Sequence, residues 1–196
     1  MRSIVIVVDA QRDFMAADGA LSVAGAEALI APMAAWLGAL DPDETAGVLF
    51  TFDTHLPDIY AGSAEAAEFP VHCVRDTPGW ESMLPADPVD RAIPVFRLEK
   101  GVFAMWQEED LVVRDARDPA SPALPRDLFF TRLREQGVDH AIVIGVAADY
   151  CVRYAVEGLV SRGFSVEVPA ALTRGIARQI DAVVAQDFAG KPVRVT

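Results

Sequence analysis

The sequence contains little cysteine, lysine or histidine. With only two cysteines, Cys73 and Cys151, it allows at most one disulfide bond and excludes the multi-bridge framework of small secreted domains. Positive charge is also scarce, since 17 lysine and arginine residues face 29 aspartate and glutamate residues, giving a formal net charge of -12. This excess of negative charge argues against nucleic acid or an anionic membrane surface as a partner. A small neutral or cationic substrate is easier to accommodate.

Long apolar runs are also lacking. Residues 4–8 are apolar, but polar residues follow at once, so the run is too short for a signal segment or a membrane-spanning helix. We therefore expect a cytoplasmic protein without membrane contact. A chain of 196 residues, 52% of them hydrophobic, is long enough for one well-buried core, so we expect a single domain over residues 1–196.

Short runs rich in β-branched residues alternate with helical patterns along the chain. The runs predict strands at residues 4–8, 47–52, 93–98, 141–146 and 165–168, and apolar spacing of three and four predicts the helices between them. This alternation predicts an α/β protein with three layers, α/β/α, in which helices flank a central, mainly parallel sheet. Residues 55–94 lack either period and contain several prolines, which predicts a long ordered loop with a functional role.

Four residues with reactive or charged side chains lie at or just beyond the ends of predicted strands. They are Asp9, Asp53, Lys100 and Cys151. A parallel sheet gathers such positions on one edge, where open α/β sheets bind their ligands. Cys151 falls at a turn into a helix, whose N-terminus favours a thiolate.

A cysteine acting as a nucleophile needs a carboxylate to take its proton and an ammonium to hold the thiolate. Asp9 and Lys100 are the candidates for these roles. Each residue also has a structural alternative, because a lone cysteine is often a small buried hydrophobe and a strand-end aspartate often caps a turn.

Asp53, His55 and His72 form a second candidate site. An Asp-x-His pair after a strand places both side chains on the same side of an extended segment, and a loop residue can supply a third ligand. Carboxylate and imidazole ligands suit a divalent metal ion, with zinc expected and iron or manganese as alternatives. Histidines in a loop also hydrogen-bond to backbone, so a purely structural role is the alternative.

Five separated motifs carry a resemblance to a known family. They lie at residues 8–14 with 19–21, 53–55, 69–73 with 77–79, 100–101 and 145–152. In this order, and over nearly the whole chain, the sequence resembles the isochorismatase-like cysteine hydrolases, and within them the nicotinamidase (pyrazinamidase) branch. The resemblance implies the fold of these hydrolases and a homo-oligomeric assembly.

The resemblance also implies roles for single residues. Cys151 is the nucleophile, Asp9 its general base and acid, and Lys100 the cation that stabilises the thiolate. The Val146–Ala147 peptide bond is expected to be cis, so that the backbone N–H of Ala147 joins that of Cys151 as an oxyanion hole. By the same resemblance, further residues hold the ion and line the pocket: Asp53, His55 and His72 as metal ligands, and Phe14, Leu21, Phe69 and Tyr150 as the pocket wall.

The implied activity is hydrolysis of a small amide, nicotinamide to nicotinate and ammonia, through a thioester on Cys151. The alternatives are a family hydrolase of another small amide or ureido compound, and a non-catalytic small-molecule-binding module on the same scaffold. Isochorismatase itself hydrolyses a vinyl ether without this metal triad and fits less well.

Three features depart from the family pattern. Residues 102–106 are bulky and apolar where nicotinamidases carry a polar segment that helps line the pocket. No residue between His55 and His72 clearly matches the further ligand that some members have, which leaves Glu65 and Glu68 both open. Residues 110–125 match no familiar pattern, so a lid or an oligomer contact is open there.

Overall fold

The β-branched runs of the sequence form the middle strands of one nine-stranded sheet. The computed structural model describes residues 2–196. Its strands are β1 (Ser3–Val8), β2 (Thr45–Asp53), β3 (Val95–Lys100), β4 (Val112–Asp115), β5 (Leu124–Pro125), β6 (His140–Val146), β7 (Ser165–Val168), β8 (Thr173–Arg174) and β9 (Val193–Val195). The spatial order is β5-β4-β3-β2-β1-β6-β7-β9, and β8 pairs with β6 beside this path.

Most strand pairs are parallel, as the sequence predicts. The exceptions lie at one edge, where β4 pairs antiparallel with β3 and β5 pairs antiparallel with β4. These two strands come from residues 110–125, the segment that matches no familiar pattern in the sequence. Their short ladder extends the sheet beyond β3.

Helices cover both faces of the sheet. They are α1 (Arg12–Met15), α2 (Ile30–Gly38), α3 (Pro57–Tyr60), α4 (Arg126–Glu135), α5 (Cys151–Ser161) and α6 (Ile180–Asp187). Strand β1 is buried along its whole length, and its side chains alternate between the two faces. Ile4, Ile6 and Val8 pack with α4, α5 and α6, whereas Val5 and Val7 pack with α1 and α2. The protein is therefore the predicted three-layer α/β/α structure.

Two helix boundaries have identifiable causes. Pro32 lies in the first turn of α2, where a missing backbone N–H costs little, so it marks the beginning of the helix rather than a kink. The apolar spacing of the sequence predicts a last helix over residues 176–188, but α6 begins at Ile180. Residues 176–178 instead donate three backbone hydrogen bonds to the carboxylate of Asp149, which holds them as a loop.

The long segment 55–94 is mostly loop with short helical turns, as expected. Among residues 2–196, none of the helices has the length and hydrophobicity of a membrane span.

Candidate active site and metal centre

The carboxyl ends of four parallel strands bring the candidate residues together. Asp53 and Lys100 are the last residues of β2 and β3 and are paired across the two strands. Asp9 directly follows β1, and Cys151 begins α5 just after β6. All four side chains are buried, with Asp9 and Asp53 at 0% exposure. The four side chains that the sequence places at one edge of the sheet therefore form a buried polar cluster.

Lys100 lies at the middle of this centre. Its Nζ is 2.8 Å from Asp9 Oδ2, 3.3 Å from Asp53 Oδ1 and 3.5 Å from Cys151 Sγ. Burial alone would lower the pKa of Lys100, but Asp53 and Asp9 outweigh it and hold the pKa well above its usual value. The ammonium thus stays charged while touching the thiol and both carboxylates.

The thiol of Cys151 is kept protonated in the free protein. Burial raises its pKa well above the usual value, and Lys100, which opposes this shift, is outweighed because Asp9 and Asp53 act in the same direction as burial. The turn before α5 and the nearby lysine would favour a thiolate at Cys151. Burial of the thiol opposes this effect and is the larger of the two. Attack by sulfur therefore requires a proton acceptor at the moment of reaction.

Within residues 2–196, the backbone N–H groups of Ala147 and Cys151 donate to no acceptor. The Val146–Ala147 peptide bond is cis, as the resemblance implies. Among the hydrogen bonds of residues 2–196 that involve loops and helix ends, none uses the N–H of Ala147 or Cys151, whereas the N–H groups of Tyr150 and Val152 both donate to the Ala147 carbonyl. The two free donors are available to an oxygen placed beside the sulfur.

A cluster of four buried side chains lies on the other side of Asp53. The atoms are Asp53 Oδ2, His55 Nε2, His72 Nε2 and Glu65 Oε1, and one ligand atom from each residue lies within 4.8 Å of all the others. Asp53 Oδ2 is 3.1 Å from His55 Nε2 and 3.2 Å from His72 Nε2. Two imidazoles and two carboxylates suit a divalent ion.

The contacts of Glu65 agree with a metal site. Its Oε1 is buried, 3.3 Å from His72 Nε2 and 3.6 Å from His55 Nε2, so a carboxylate oxygen and two imidazole nitrogens face one another, as ligands of one cation do. The Nδ1 of His72 contacts the carbonyl oxygen of Pro70 at 2.8 Å, which leaves Nε2 facing the cluster. The residues therefore fit a divalent metal ion.

The structure distinguishes the two glutamates that the sequence leaves open. Glu65 begins a short 3₁₀ helix, Glu65–Ala67, and its side chain is buried toward the histidines, with Oε1 3.3 Å from His72 Nε2. Glu68 is exposed. One turn of helix thus separates a carboxylate in the cluster from one in solvent, and the spacing of the sequence contains no signal for this difference.

Of the four predicted pocket residues, three are aromatic, and one of these packs directly against the metal cluster. Phe14 is buried and packs edge-on against His72, with ring centroids 5.1 Å apart. Phe69 and Tyr150 pack against each other at 5.3 Å. Leu21 is half-buried at the edge of the core cluster that contains Phe14.

Phe103 is a pocket residue that the sequence analysis does not single out. It comes from the unusual segment 102–106 and lies 5.8 Å from Phe69 and 5.3 Å from Tyr150, so that the three rings form one aromatic wall. A cavity of 250 Å³ lies beside Phe103 and is also lined by Glu65 and Tyr154. In the sequence, the aromatic side chain three positions after Lys100 was the feature that could have predicted this role for Phe103.

The comparisons with known proteins agree with this geometry. No family model matches the chain. It is 29% identical over 178 residues to the nicotinamidase/pyrazinamidase of Mycobacterium tuberculosis, covering 88% of this chain and 87% of that protein. The structure of the pyrazinamidase of Pyrococcus horikoshii in complex with zinc matches with a TM-score of 0.72 and 25% identity, over 100% of this chain and 99% of that one.

A further structure extends the comparison of the fold. The nicotinamidase/pyrazinamidase of Bacillus subtilis matches with a TM-score of 0.76 and 19% identity over the full length of both chains. At this identity the match concerns the fold alone. Together with the sequence match, it confirms the predicted resemblance: the chain has the fold of the isochorismatase-like cysteine hydrolases, and its relatives lie in their nicotinamidase branch.

Proposed function

We propose that the protein is a metal-containing cysteine amidohydrolase that converts nicotinamide to nicotinate and ammonia. One observation carries the proposal. The ammonium of Lys100 contacts the candidate nucleophile Cys151, the candidate base Asp9 and the metal ligand Asp53 at the same time. A binding module has no need for a thiol, a carboxylate and an ammonium at contact distance in a buried site.

The first half of the reaction forms a thioester. Asp9 takes the thiol proton as the sulfur of Cys151 attacks the amide carbon, so that a C–S bond forms and the carbonyl electron pair moves onto oxygen. The N–H groups of Ala147 and Cys151 receive this oxyanion. Asp9 then gives its proton to the amide nitrogen, the C–N bond breaks, and ammonia leaves.

The second half uses the same groups with water. Asp9 takes a proton from water as its oxygen adds to the thioester carbon, and the same two N–H groups hold the second oxyanion. Collapse of this intermediate breaks the C–S bond and releases the acid. The thiolate, held by Lys100, then regains the proton from Asp9.

The metal site would contribute to substrate binding. Asp53, His55, Glu65 and His72 would hold the ion, for which we propose zinc, with iron or manganese as alternatives. A bound divalent ion supplies a Lewis-acid position for a ligand with a free electron pair, such as the ring nitrogen of nicotinamide. The wall of Phe69, Phe103 and Tyr150 offers a flat aromatic ring its packing surface.

The names of the relatives support nicotinamide as substrate. The Mycobacterium tuberculosis protein is a nicotinamidase/pyrazinamidase, and a Leishmania infantum protein of the same fold was solved in complex with nicotinate. A related fold also belongs to an N-carbamoylsarcosine amidase from Thermoplasma acidophilum, so another small amide or ureido substrate is the second candidate.

The expected self-association and cytoplasmic location of the protein stay predictions.

Ammonia release tests the proposal. Zinc-loaded wild-type protein should release ammonia from nicotinamide, and Cys151→Ala should lower the rate by about a thousandfold or more because the thioester can no longer form. Circular dichroism and the zinc-to-protein ratio should be unchanged in the variant.

Each result that contradicts the proposal has its own meaning. Appreciable activity in folded Cys151→Ala protein would exclude Cys151 as the nucleophile. If zinc-loaded wild-type protein releases no ammonia, nicotinamide is excluded, and a panel of small amides and ureido compounds tests the second candidate.

A further inference from the structure

The two carboxylate oxygens of Asp9 have different surroundings. The hydroxyl of Thr51 donates to Oδ1 at 2.6 Å. Oδ2 lies 2.8 Å from Lys100 Nζ, and the Asp9 carboxylate is fully buried. One oxygen is thus held by a fixed hydroxyl, and the other by the ammonium of Lys100.

Thr51 also holds the backbone of Asp9. Its hydroxyl oxygen accepts the Asp9 N–H at 3.3 Å while its proton goes to the carboxylate. Asp9 has a φ of 46°, a left-handed conformation that residues other than glycine rarely adopt. One hydroxyl therefore fixes both the unusual backbone conformation and the rotation of the carboxylate.

Thr51 itself has little freedom to move. It lies inside β2, is 2% exposed, and is paired with Leu98 of β3. Because the strand fixes its hydroxyl, the hydroxyl can direct the neighbouring carboxylate toward Lys100 and Cys151.

We propose that Thr51 is a positioning residue that holds Oδ1 of Asp9 and thereby presents Oδ2 as the oxygen that takes and gives the proton. The hydroxyl of Thr51 binds Oδ1 and fixes the rotation of the carboxylate, and this rotation places Oδ2 beside Lys100, whose ammonium also contacts Cys151 Sγ. In each transfer of the proposed reaction, the proton from sulfur or water therefore arrives on Oδ2 and leaves from it. This inference rests on the proposed function, since it assigns atoms within that reaction.

Replacement of Thr51 by residues of matched shape tests the inference. Thr51→Val removes the hydroxyl with little change in shape, and Thr51→Ser keeps the hydroxyl. We expect Thr51→Val to lower kcat for nicotinamide about a hundredfold, because small misplacements of a reacting group are this costly. KM and the zinc-to-protein ratio should stay unchanged, and Thr51→Ser should restore most of kcat.

The controls separate positioning from a general loss of packing. Thr45→Val changes a buried threonine at the other end of β2 and should leave kcat unchanged. If Thr51→Val does not fold, Thr51→Ala provides the same comparison. A hydroxyl-free variant with wild-type kcat, or a Thr51→Ser variant as slow as the hydroxyl-free one, would overturn the inference.

Crystal structures of the variants provide a test that does not depend on turnover. The carboxylate of Asp9 should rotate away from Lys100 in the hydroxyl-free variant and keep its orientation in Thr51→Ser. If wild-type protein releases no ammonia from nicotinamide, the proposed substrate fails, and these structures alone decide the role of Thr51. An unrotated carboxylate in the hydroxyl-free variant would refute that role.

Discussion

At the scale of the single residue, Asp53 joins the two parts of the site. One of its oxygens faces Lys100, and the other faces both histidines of the metal cluster. The side-chain amide of Gln11 holds the backbone of Asp53 from both sides, donating to its carbonyl at 2.8 Å and accepting its N–H at 2.7 Å. The position of one carboxylate therefore sets the distance between the candidate metal cluster and Lys100.

Glu65 provides a prediction about the metal site. Glu65→Gln should weaken zinc binding by at least about tenfold, because an amide oxygen carries no charge to offset the ion. The matched control is Glu68→Gln, whose side chain lies in solvent and should have no effect. Zinc affinity is measured by competition with a chromogenic chelator. Equal affinities of the two variants would show that Glu65 is not a ligand.

The sequence predicts which residues meet but not their chemical state. Asp9, Asp53, Lys100 and Cys151 could be placed together because each follows a strand, and strand ends are readable from β-branched runs. The choice between Glu65 and Glu68 depends on the rotation of a single short turn. The raised pKa of the Cys151 thiol depends on complete burial, which only the packed structure defines.

At the scale of the element, the unusual segment 102–106 faces two ways. Phe103 joins the aromatic wall, whereas Trp106 points toward α5, where its indole N–H donates to the Tyr154 carbonyl at 2.9 Å. The ring fills the space next to Gly158, where a Cβ would lie 2.0 Å from the indole nitrogen. The segment is therefore anchored on the helix that begins with Cys151.

Gly158→Ala should destabilise the protein. Alanine in a helix normally gains about 1 kcal/mol over glycine, but overpacking against a ring costs about 1–3 kcal/mol. We expect the cost of overpacking to exceed the gain in helix propensity, because the backbone of α5 and the hydrogen-bonded Trp106 must both move. Thermal unfolding should show Tm lower by several degrees.

Gly62→Ala is the matched control for this change. Its added Cβ meets no atom closer than 3.8 Å, so Tm should not fall. An unchanged Tm in Gly158→Ala would mean that the segment yields easily and does not anchor α5.

Elements with a strong local period were predictable, and elements defined by distant partners were not. The buried strands β1, β2 and β6 follow directly from their β-branched runs. The edge strands β4 and β5 are short and acquire their structure by pairing, β4 with β3 and β5 with β4. The beginning of α6 depends on Asp149, which lies far away in the sequence and competes for the N–H groups of residues 176–178.

At the scale of the whole molecule, metal uptake should release protons. Burial alone would lower the pKa of His55 and His72, but hydrogen bonds and charge from Asp53 and Glu65 raise it to about 9 for each imidazole. Both imidazoles are thus protonated near neutral pH in metal-free protein, and both must lose the proton to bind an ion. We expect close to two protons released per zinc ion.

The sign of the linkage gives the pH window. Because both pKa values lie above the ordinary 6.5, the ion pairs stabilise metal-free protein fully below that pH and are lost as pH rises through about 9. Proton release should therefore decline over the same range. Titration calorimetry in buffers of different ionisation enthalpy measures it, with Cys151→Ala as a control that should behave like wild type. Binding heat independent of the buffer near neutral pH would contradict the prediction.

The shared carboxylate of Asp53 also has a consequence for the valence of the ion. At this site, Asp9, Asp53 and Glu65 supply three buried carboxylates against the one ammonium of Lys100, which leaves two negative charges there. Two imidazolium groups cancel them in metal-free protein, and one divalent ion cancels them after uptake. The exchange is electroneutral, so neither state carries the large penalty of an unbalanced buried charge. A monovalent or trivalent ion would break this balance, so we expect the site to prefer divalent ions.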